Sequence, residues 1–158
     1  MANINATLSV NSDINYSGVS INKTMTMTKA GSTAGLELFT GLAKRTFTST
    51  NHVDLLTAGG GISADVTANK AAKLYIKNIG TDSTQYFDIG LGKSSGSGTM
   101  EGFDQASSAE RFCPIGRLYG GDFLIIPWNA DTTNGYNDVT IKPSVATTMS
   151  VEYAVFFE

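Results

Sequence analysis

Apolar and polar residues alternate through the stretch Lys73–Leu91, and this alternation constrains the fold more than any other feature of the chain. Leu74 and Ile76 fall on one side of an extended segment, and Phe87 and Ile89 share one side of a second segment. A period of two is typical of strands with one buried and one wet face. The intervening residues are rich in Gly, Asp, Ser and Thr, which favour a turn. We therefore predict a β-hairpin here.

The rest of the chain contains further short segments with strand-like patterns. A different pattern occurs at Phe123–Ile126, a continuous apolar run between Gly120-Gly121 and Pro127, which predicts a central strand buried on both faces. In the segment with Met25 and Met27, Lys23 interrupts the apolar side. The other predicted strands are 5–10, 19–28, 45–50, 52–57, 62–67, 139–141 and 149–157, while 36–42 fits a strand or one helical turn.

These patterns predict an all-β fold, an antiparallel β-sandwich or jelly roll with short or no helices. Charged residues make up only 16% of the chain, and its polarity comes from Thr, Ser, Asn and 17 Gly, which favours strands and turns over helices. A chain of 158 residues fits one domain, so we predict a single β domain over 1–158. Residues 1–35 are a candidate extended N-terminal arm or set of docking strands.

Charge and cysteine content exclude several classes of function. The net charge of −3 argues against nucleic-acid binding, which needs clustered Lys and Arg. No stretch approaches the ~20 apolar residues of a membrane span, and the polar start of the chain does not resemble a signal peptide. Cys113 is the only cysteine, so no internal disulfide forms. We therefore expect neither a nucleic-acid nor a membrane partner.

Catalytic motifs in the sequence are incomplete. The residues Gly92-Lys93-Ser94-Ser95-Gly96 match G-x-S-x-G, but no convincing helix follows, and the only histidine, His52, precedes the serine. The same residues fail as a phosphate-binding loop because Phe87 occupies the position of a required glycine. His52 and Asp54 share a strand face without a defined nucleophile. We therefore predict a solvated loop at 92–98, no catalytic residues, no metal site and no cofactor.

Two ligand sites remain open as alternatives. The loop residues Asp131, Asn134, Asn137 and Asp138 carry oxygens that Ca²⁺ prefers, although the EF-hand spacing is missing and an Asx-rich turn also explains them. A second set of residues fits either a sugar-stacking platform or a protein interface: Tyr75, Tyr86, Tyr119, Trp128, Tyr136 and Tyr153. We place the candidate interface at Met25, Met27, Trp128 and Tyr136.

The second half of the chain resembles small all-β virion proteins of tailed bacteriophages. The similar segments are LYIKNIGTDSTQYFDIGLG, RLYGGDFLIIPWNA, VTIKP and the closing VEYAVFFE. In that group, a strand that ends in Lys-Asn leads through a polar turn to a strand that ends in Ile-Gly. A Gly-Asp turn then precedes an apolar strand and a proline. A strand with Val-Glu-Tyr comes last. The resemblance covers roughly Lys73–Glu158. It implies a jelly roll or related sandwich, a non-enzymatic role and assembly on a virion, often as trimers.

The resemblance predicts a capsid decoration or cement protein that clamps neighbouring capsid subunits. Its expected partner is the major capsid protein or another virion protein, and its expected location is the virion after synthesis in the host cytoplasm. The resemblance implies a homo-oligomer, a homotrimer, and small β domains in general gain stability by burying apolar faces in symmetric assemblies. The alternatives are a tail or fibre component with a receptor-binding role, and a carbohydrate-binding module.

Overall fold

The structure of the chain is a computed structural model. It describes residues 4–12, 20–29, 31–57, 72–92, 112–128 and 138–158. These residues contain strands and no helix, which confirms the all-β prediction. The strands are β1 (Asn5–Asn11), β2 (Ser20–Thr26), β3 (Leu38–Phe39), β4 (Ala43–Phe47), β5 (Val53–Leu56), β6 (Ala72–Asn78), β7 (Tyr86–Gly92), β8 (Phe112–Tyr119), β9 (Phe123–Pro127), β10 (Asp138–Pro143) and β11 (Met149–Phe157).

Two of the three sheets enclose one hydrophobic core. In the five-stranded sheet, β6 lies between β11 and β9, and β3 and β4 both pair with the other side of β11. The four-stranded sheet has the order β5, β10, β7, β8, and all its pairs are antiparallel. The core takes Leu74 and Ile76 from one sheet and Phe87, Ile89 and Ile141 from the other. This arrangement confirms the predicted antiparallel β-sandwich.

Strand pairs from β4 to β11 are nested. Strand β7 pairs with β8, β6 with β9, β5 with β10 and β4 with β11, so each pair encloses the previous one in sequence. Among these described strands, consecutive strands other than β7 and β8 lie in opposite sheets. The core between the sheets is therefore built from contacts between residues far apart in the sequence.

The predicted hairpin at Lys73–Leu91 is wrong in its pairing. Both arms are strands with the predicted alternation, but β6 belongs to the five-stranded sheet and β7 to the four-stranded sheet. The residues between them cross from one sheet to the other, a separation of about 10 Å. Two half-apolar strands bury their apolar faces equally well by facing each other across a core as by lying side by side. The alternation therefore identified the buried faces and not the pairing.

The predicted central position of Phe123–Ile126 is also wrong. The run lies in β9, which pairs only with β6 among the described strands and forms an edge of the five-stranded sheet. Leu124 and Ile126 are half-buried, whereas Phe123 and Ile125 are exposed. A continuous apolar run does not distinguish a strand covered on both faces from an edge strand that exposes one apolar face.

Most other predicted strands are confirmed. Strands β1, β2, β5, β10 and β11 fall within or close to the predicted segments, and β11 is paired along both edges, which ties the chain end into the sheet. Strand β8 was missed because Pro114 and Gly116 interrupt its pattern. The predicted strand 62–67 and nearly all of the loop 92–98 lie outside the described residues.

Two turns pack together at one end of the sandwich. The buried amide of Asn78 donates to the carbonyl oxygen of Leu118 at 3.1 Å, and its oxygen accepts from the backbone N–H of Gly80 at 2.9 Å. Gly120 follows β8, and a Cβ atom at this position would lie 2.8 Å from the carbonyl oxygen of Asp82. The turn between β8 and β9 therefore approaches the β6–β7 connection closely because residue 120 has no side chain.

We expect Gly120→Ala to lower the free energy of unfolding by about 1–3 kcal/mol, because the added methyl group forces the two turns apart. Gly116→Ala is the matched control, since a Cβ atom there meets nothing within 4 Å. The measurement is the unfolding free energy from urea denaturation of both variants. Equal stability of the two variants would contradict the packing described for this end of the sandwich.

Candidate interaction surface

Strands β1 and β2 form a two-stranded antiparallel sheet, here called the N-terminal ribbon. Opposed residues share a face and successive residues alternate between faces, so the register separates the ribbon into two chemically different sides. The polar face contains Asn5, Thr7, Ser9, Asn11, Ser20, Asn22, Thr24 and Thr26. The apolar face contains Ala6, Leu8, Val10, Ile21, Lys23 and Met25. Lys23 is thus the one charged residue on the apolar face, as its position in the sequence pattern indicated.

Side-chain hydrogen bonds across the polar face support this register. The hydroxyl oxygens of Thr7 and Thr24 are 2.9 Å apart, and the hydroxyl of Thr26 donates to the side-chain oxygen of Asn5 at 2.9 Å. A slip of one residue would break these bonds and move the apolar residues to the other face. The cross-strand bonds therefore help determine which side chains the apolar face presents.

The apolar face of the ribbon is open to solvent. Leu8 is 49% exposed and Met25 is 66% exposed, and Val10 and Ile21 are also exposed. Within the described residues, β1 and β2 pair only with each other. An isolated two-stranded hairpin is only marginally stable in water, and it gains stability from a third strand or from packing of its apolar face. The ribbon therefore presents a surface suited to covering by a partner.

A pair of buried residues connects the ribbon to the rest of the chain. The backbone N–H of Met27 donates to the carbonyl oxygen of Ile4 at 2.9 Å. The carbonyl oxygen of Met27 accepts from the backbone N–H of Leu36 at 2.6 Å. Met27 and Leu36 are buried, although neither belongs to the main core. Lys29 and Glu37 form an ion pair at 3.3 Å beside them. The ribbon thus starts from a packed base.

The four predicted interface residues fall in different environments. Met25 lies on the exposed apolar face of the ribbon, whereas Met27 packs in its buried base. Trp128 follows β9 and is buried in the core of the sandwich, and Tyr136 lies outside the described residues. The structure does not bring Met27 and Trp128 to the surface, because both side chains contribute to packing within the chain. Leu8, Val10 and Ile21 were missed, although their alternation with polar residues was visible in the sequence.

Two pairs of aromatic rings lie on the outer face of the five-stranded sheet. The rings of Phe39 and Phe156 stack with centroids 5.0 Å apart, and those of Tyr75 and Phe123 lie 6.4 Å apart. The Tyr75 hydroxyl donates to Glu152 at 3.1 Å. Partial burial, and then this contact with the carboxylate, raise the pKa of Tyr75 above its usual value. Exposed aromatic residues of this kind are common at protein interfaces.

On the outer face of the four-stranded sheet, an ion pair packs against an aromatic ring. Arg117 donates to Asp88 at 2.9 Å, and its guanidinium carbon lies 3.7 Å from the ring centroid of Tyr86. The hydrogen bond with Asp88 is the main reason that the pKa of Arg117 is raised. Tyr119 packs edge-on against Tyr86 at a centroid distance of 5.3 Å. Arg117 therefore covers one face of the Tyr86 ring.

A polar cleft of about 310 Å³ lies beside the connection between β6 and β7, where Lys44, Asp82 and Gln85 contribute to its walls. The Asp82 carboxylate accepts hydrogen bonds from the Thr84 hydroxyl at 2.7 Å, the Thr84 N–H at 2.8 Å and the Gln85 amide at 2.9 Å. The bond from the Thr84 hydroxyl contributes most to lowering the pKa of Asp82. This carboxylate therefore organises its own loop.

The described ranges contain neither a metal-ligand cluster nor a membrane-spanning helix. These residues contain no group of three or more His, Cys, Asp or Glu arranged to hold a metal ion. Of the candidate calcium ligands, Asp138 begins β10 and is buried, while Asp131, Asn134 and Asn137 lie outside the described residues. The calcium site thus stays an untested alternative to an Asx-rich turn. In this part of the chain, no helix is long and apolar enough to cross a membrane.

The comparisons with known proteins gave no relative. Protein-family models, curated proteins and solved structures were compared with the chain, and none matches. The residues and their geometry are therefore the basis for a functional proposal. Among the described surfaces, the apolar face of the N-terminal ribbon is the strongest candidate because it combines a defined register with exposed apolar side chains.

We expect Asp82→Asn to destabilise the protein at pH 7, because the neutral amide weakens the hydrogen bonds that Asp82 accepts. A lowered pKa in the folded state gives a stabilising contribution that is present above the ordinary aspartate pKa, about 3.9, and is lost as pH falls through the folded value. The difference in melting temperature between the two proteins should therefore shrink as pH falls from 5 toward about 2. A difference that stays constant over this range would contradict the assigned role of the carboxylate.

Proposed function

We propose that the chain is a non-enzymatic virion structural protein, a capsid decoration or cement protein that clamps neighbouring capsid subunits. The proposed partner is the major capsid protein, and the proposed site of action is the virion. The observation that carries the proposal is the exposed apolar face of the N-terminal ribbon, with Leu8 and Met25 as its most exposed large apolar residues. This face lies within residues 1–35, the part of the chain predicted to dock.

A ribbon of this kind suits the attachment of a small protein to a larger assembly. Its polar face satisfies its own side chains through bonds such as Thr7 to Thr24, while its apolar face gains free energy only when a partner covers it. A protein that binds only the assembled form of a capsid stabilises that form by mass action. The ribbon would supply the contact, and the sandwich would lie over the subunits that it joins.

The strand pairing gives independent support to the fold implied by the resemblance. We propose that the nested pairs from β4–β11 inward to β7–β8 form a jelly roll, the double-sheet architecture found in viral capsid domains among others. The homotrimer stays a prediction from the resemblance, for the protein assembled on the virion.

Two alternative functions have different requirements. A tail or fibre component with a receptor-binding role shares the docking argument, and separating heads from tails before locating the protein distinguishes it. A carbohydrate-binding module needs an aromatic ring face that is free for stacking, and Arg117 removes one face of Tyr86 from such a platform. Saturable glycan binding that depends on an exposed tyrosine would favour that alternative.

The proposal predicts that Leu8→Asp weakens binding to the virion by roughly tenfold or more, because it places a charge in an apolar contact. Particles assembled without the protein are incubated with increasing amounts of the variant, and the bound fraction is measured after sedimentation. Ser9→Asp is the matched control, since it introduces the same charge at the next residue, on the polar face. This control should bind like the unchanged protein.

Cementing is tested on the same particles by the temperature at which they release their DNA. The unchanged protein and Ser9→Asp should raise that temperature, and Leu8→Asp should raise it less. If particles with and without the protein release DNA at the same temperature, the cementing role is excluded. Equal binding by Leu8→Asp and Ser9→Asp would exclude the apolar face as the docking surface.

A further inference from the structure

Three outer strands of the sandwich carry features that oppose pairing with another chain. Strand β4 exposes Lys44, and lysine on an edge opposes pairing with another strand. The short strand β5 contains Asp54, whose carbonyl oxygen accepts a hydrogen bond from the guanidinium group of Arg45 on β4. Strand β8 contains Pro114, which has no N–H, next to a register shift in its pairing with β7. These edges are therefore unsuited to adding a further strand.

Strand β9 lacks such features along most of its length. Its sequence is FLIIP, with no charged residue, and Phe123 and Ile125 are 57% and 43% exposed. Pro127, which ends the strand, is the only residue that lacks a donor. An exposed apolar edge is a template for pairing with another strand. The remaining outer strand, β3, has only two residues, so β9 is the edge suited to pairing among those that the structure describes in the sandwich.

The hydrogen bonds to β6 show which backbone groups of β9 point outward. Trp128 donates to Ala72, and Asn78 donates to Asp122, at the two ends of the paired segment. Antiparallel pairs alternate between bonded and non-bonded positions, so Leu124 and Ile126 bond to β6. The N–H and C=O groups of Phe123 and Ile125 therefore point away from the sheet.

We infer that β9 pairs with β9 of a second copy of this chain, antiparallel about a two-fold axis, with Phe123 of one copy opposite Ile125 of the other. In this register, both residues of each copy donate and accept, giving roughly four backbone hydrogen bonds. The axis passes beside Leu124, and Pro127 meets no acceptor that needs its missing N–H. The two five-stranded sheets then continue as one, with their outer faces on the same side.

A second copy fits this edge for two reasons. The register is self-complementary, as a two-fold interface requires, and it uses each outward donor of the run. The segment from Phe123 to Pro127 is neutral, so the symmetry brings no like charges together at the contact. The nearest lysine on the outer face, Lys77, lies opposite Phe123 on β6. Three strand spacings and an offset of two residues separate it from its symmetry mate by about 16 Å, which exceeds the screening length of about 8 Å at physiological salt.

The size of the contact sets its expected strength. A five-residue edge and the side chains beside it provide less than the ~800 Å² per partner of a typical stable complex. Association should therefore depend on concentration, with monomers at low concentration and dimers at high concentration. The inference rests on the β9 edge and not on the proposed function, which rests on the ribbon.

The test combines solution mass with amide hydrogen exchange of the full chain by NMR, each measured over a range of protein concentrations. We expect a monomer–dimer equilibrium and exchange at Phe123 and Ile125 that slows as concentration rises. The amides of Leu124 and Ile126 should be protected at every concentration because they bond within the chain. Ile125→Lys should weaken the dimer by roughly tenfold or more, since it removes an apolar contact and places two charges near the axis.

Thr46→Lys is the matched control, because it adds the same charge to the outer edge of β4 in the same sheet. It should leave the dimer unchanged. Exchange at Phe123 and Ile125 that is independent of concentration would overturn the inference even if Ile125→Lys failed to fold. A trimer that persists in Ile125→Lys would overturn it as well, while virion binding by the ribbon would be unaffected by either result.

Discussion

The structure depends on the contact between the apolar faces of two strands that do not pair with each other and meet only across the core. Leu74 and Ile76 on β6 face a core shared with Phe87 and Ile89 on β7, and all four side chains are fully buried. Because these faces meet across the core, β6 and β7 each remain free to pair on both edges with other strands. The nested pairing from β4 to β11 accompanies this arrangement, since successive strands other than β7 and β8 lie in opposite sheets. The close approach at Gly120 and the buried amide of Asn78 then hold the crossing turns together at one end.

The same organisation leaves two kinds of apolar surface outside the core. The N-terminal ribbon separates its residues by register, so that one face bonds to itself and the other carries Leu8 and Met25 into solvent. The five-stranded sheet exposes Phe123 and Ile125 at an edge whose backbone groups point outward. These surfaces differ in what they can bind. The ribbon presents side chains to a partner surface, whereas the β9 edge presents a hydrogen-bonding pattern that another strand must match. A protein with both could attach to an assembly and associate with its own copies independently.

The candidate docking surface was only partly visible in the sequence. Residues 1–35 were assigned to docking, and Met25 lies on the exposed apolar face, but Met27 continues the same alternation and is buried at the base. Trp128 is a core residue for a related reason, because its backbone pairs with Ala72 at the end of β9 and its side chain faces the core. A pattern of apolar residues shows which side chains share a face. It does not show whether that face meets solvent, the rest of the chain or another protein.

The sequence by itself determined the secondary structure class, the positions of most strands and which side chains share a face of each half-apolar strand, because alternation with a period of two is a local property of an extended chain. Only the tertiary structure decided which strands pair. Lys73–Leu91 has the pattern of a hairpin, yet its arms lie in different sheets, and Phe123–Ile126 has the pattern of a central strand, yet it lies at an edge. Pairing and edge position depend on how all strands together cover one core. These contacts join segments far apart in the sequence, so the residue pattern of a single segment does not reveal them.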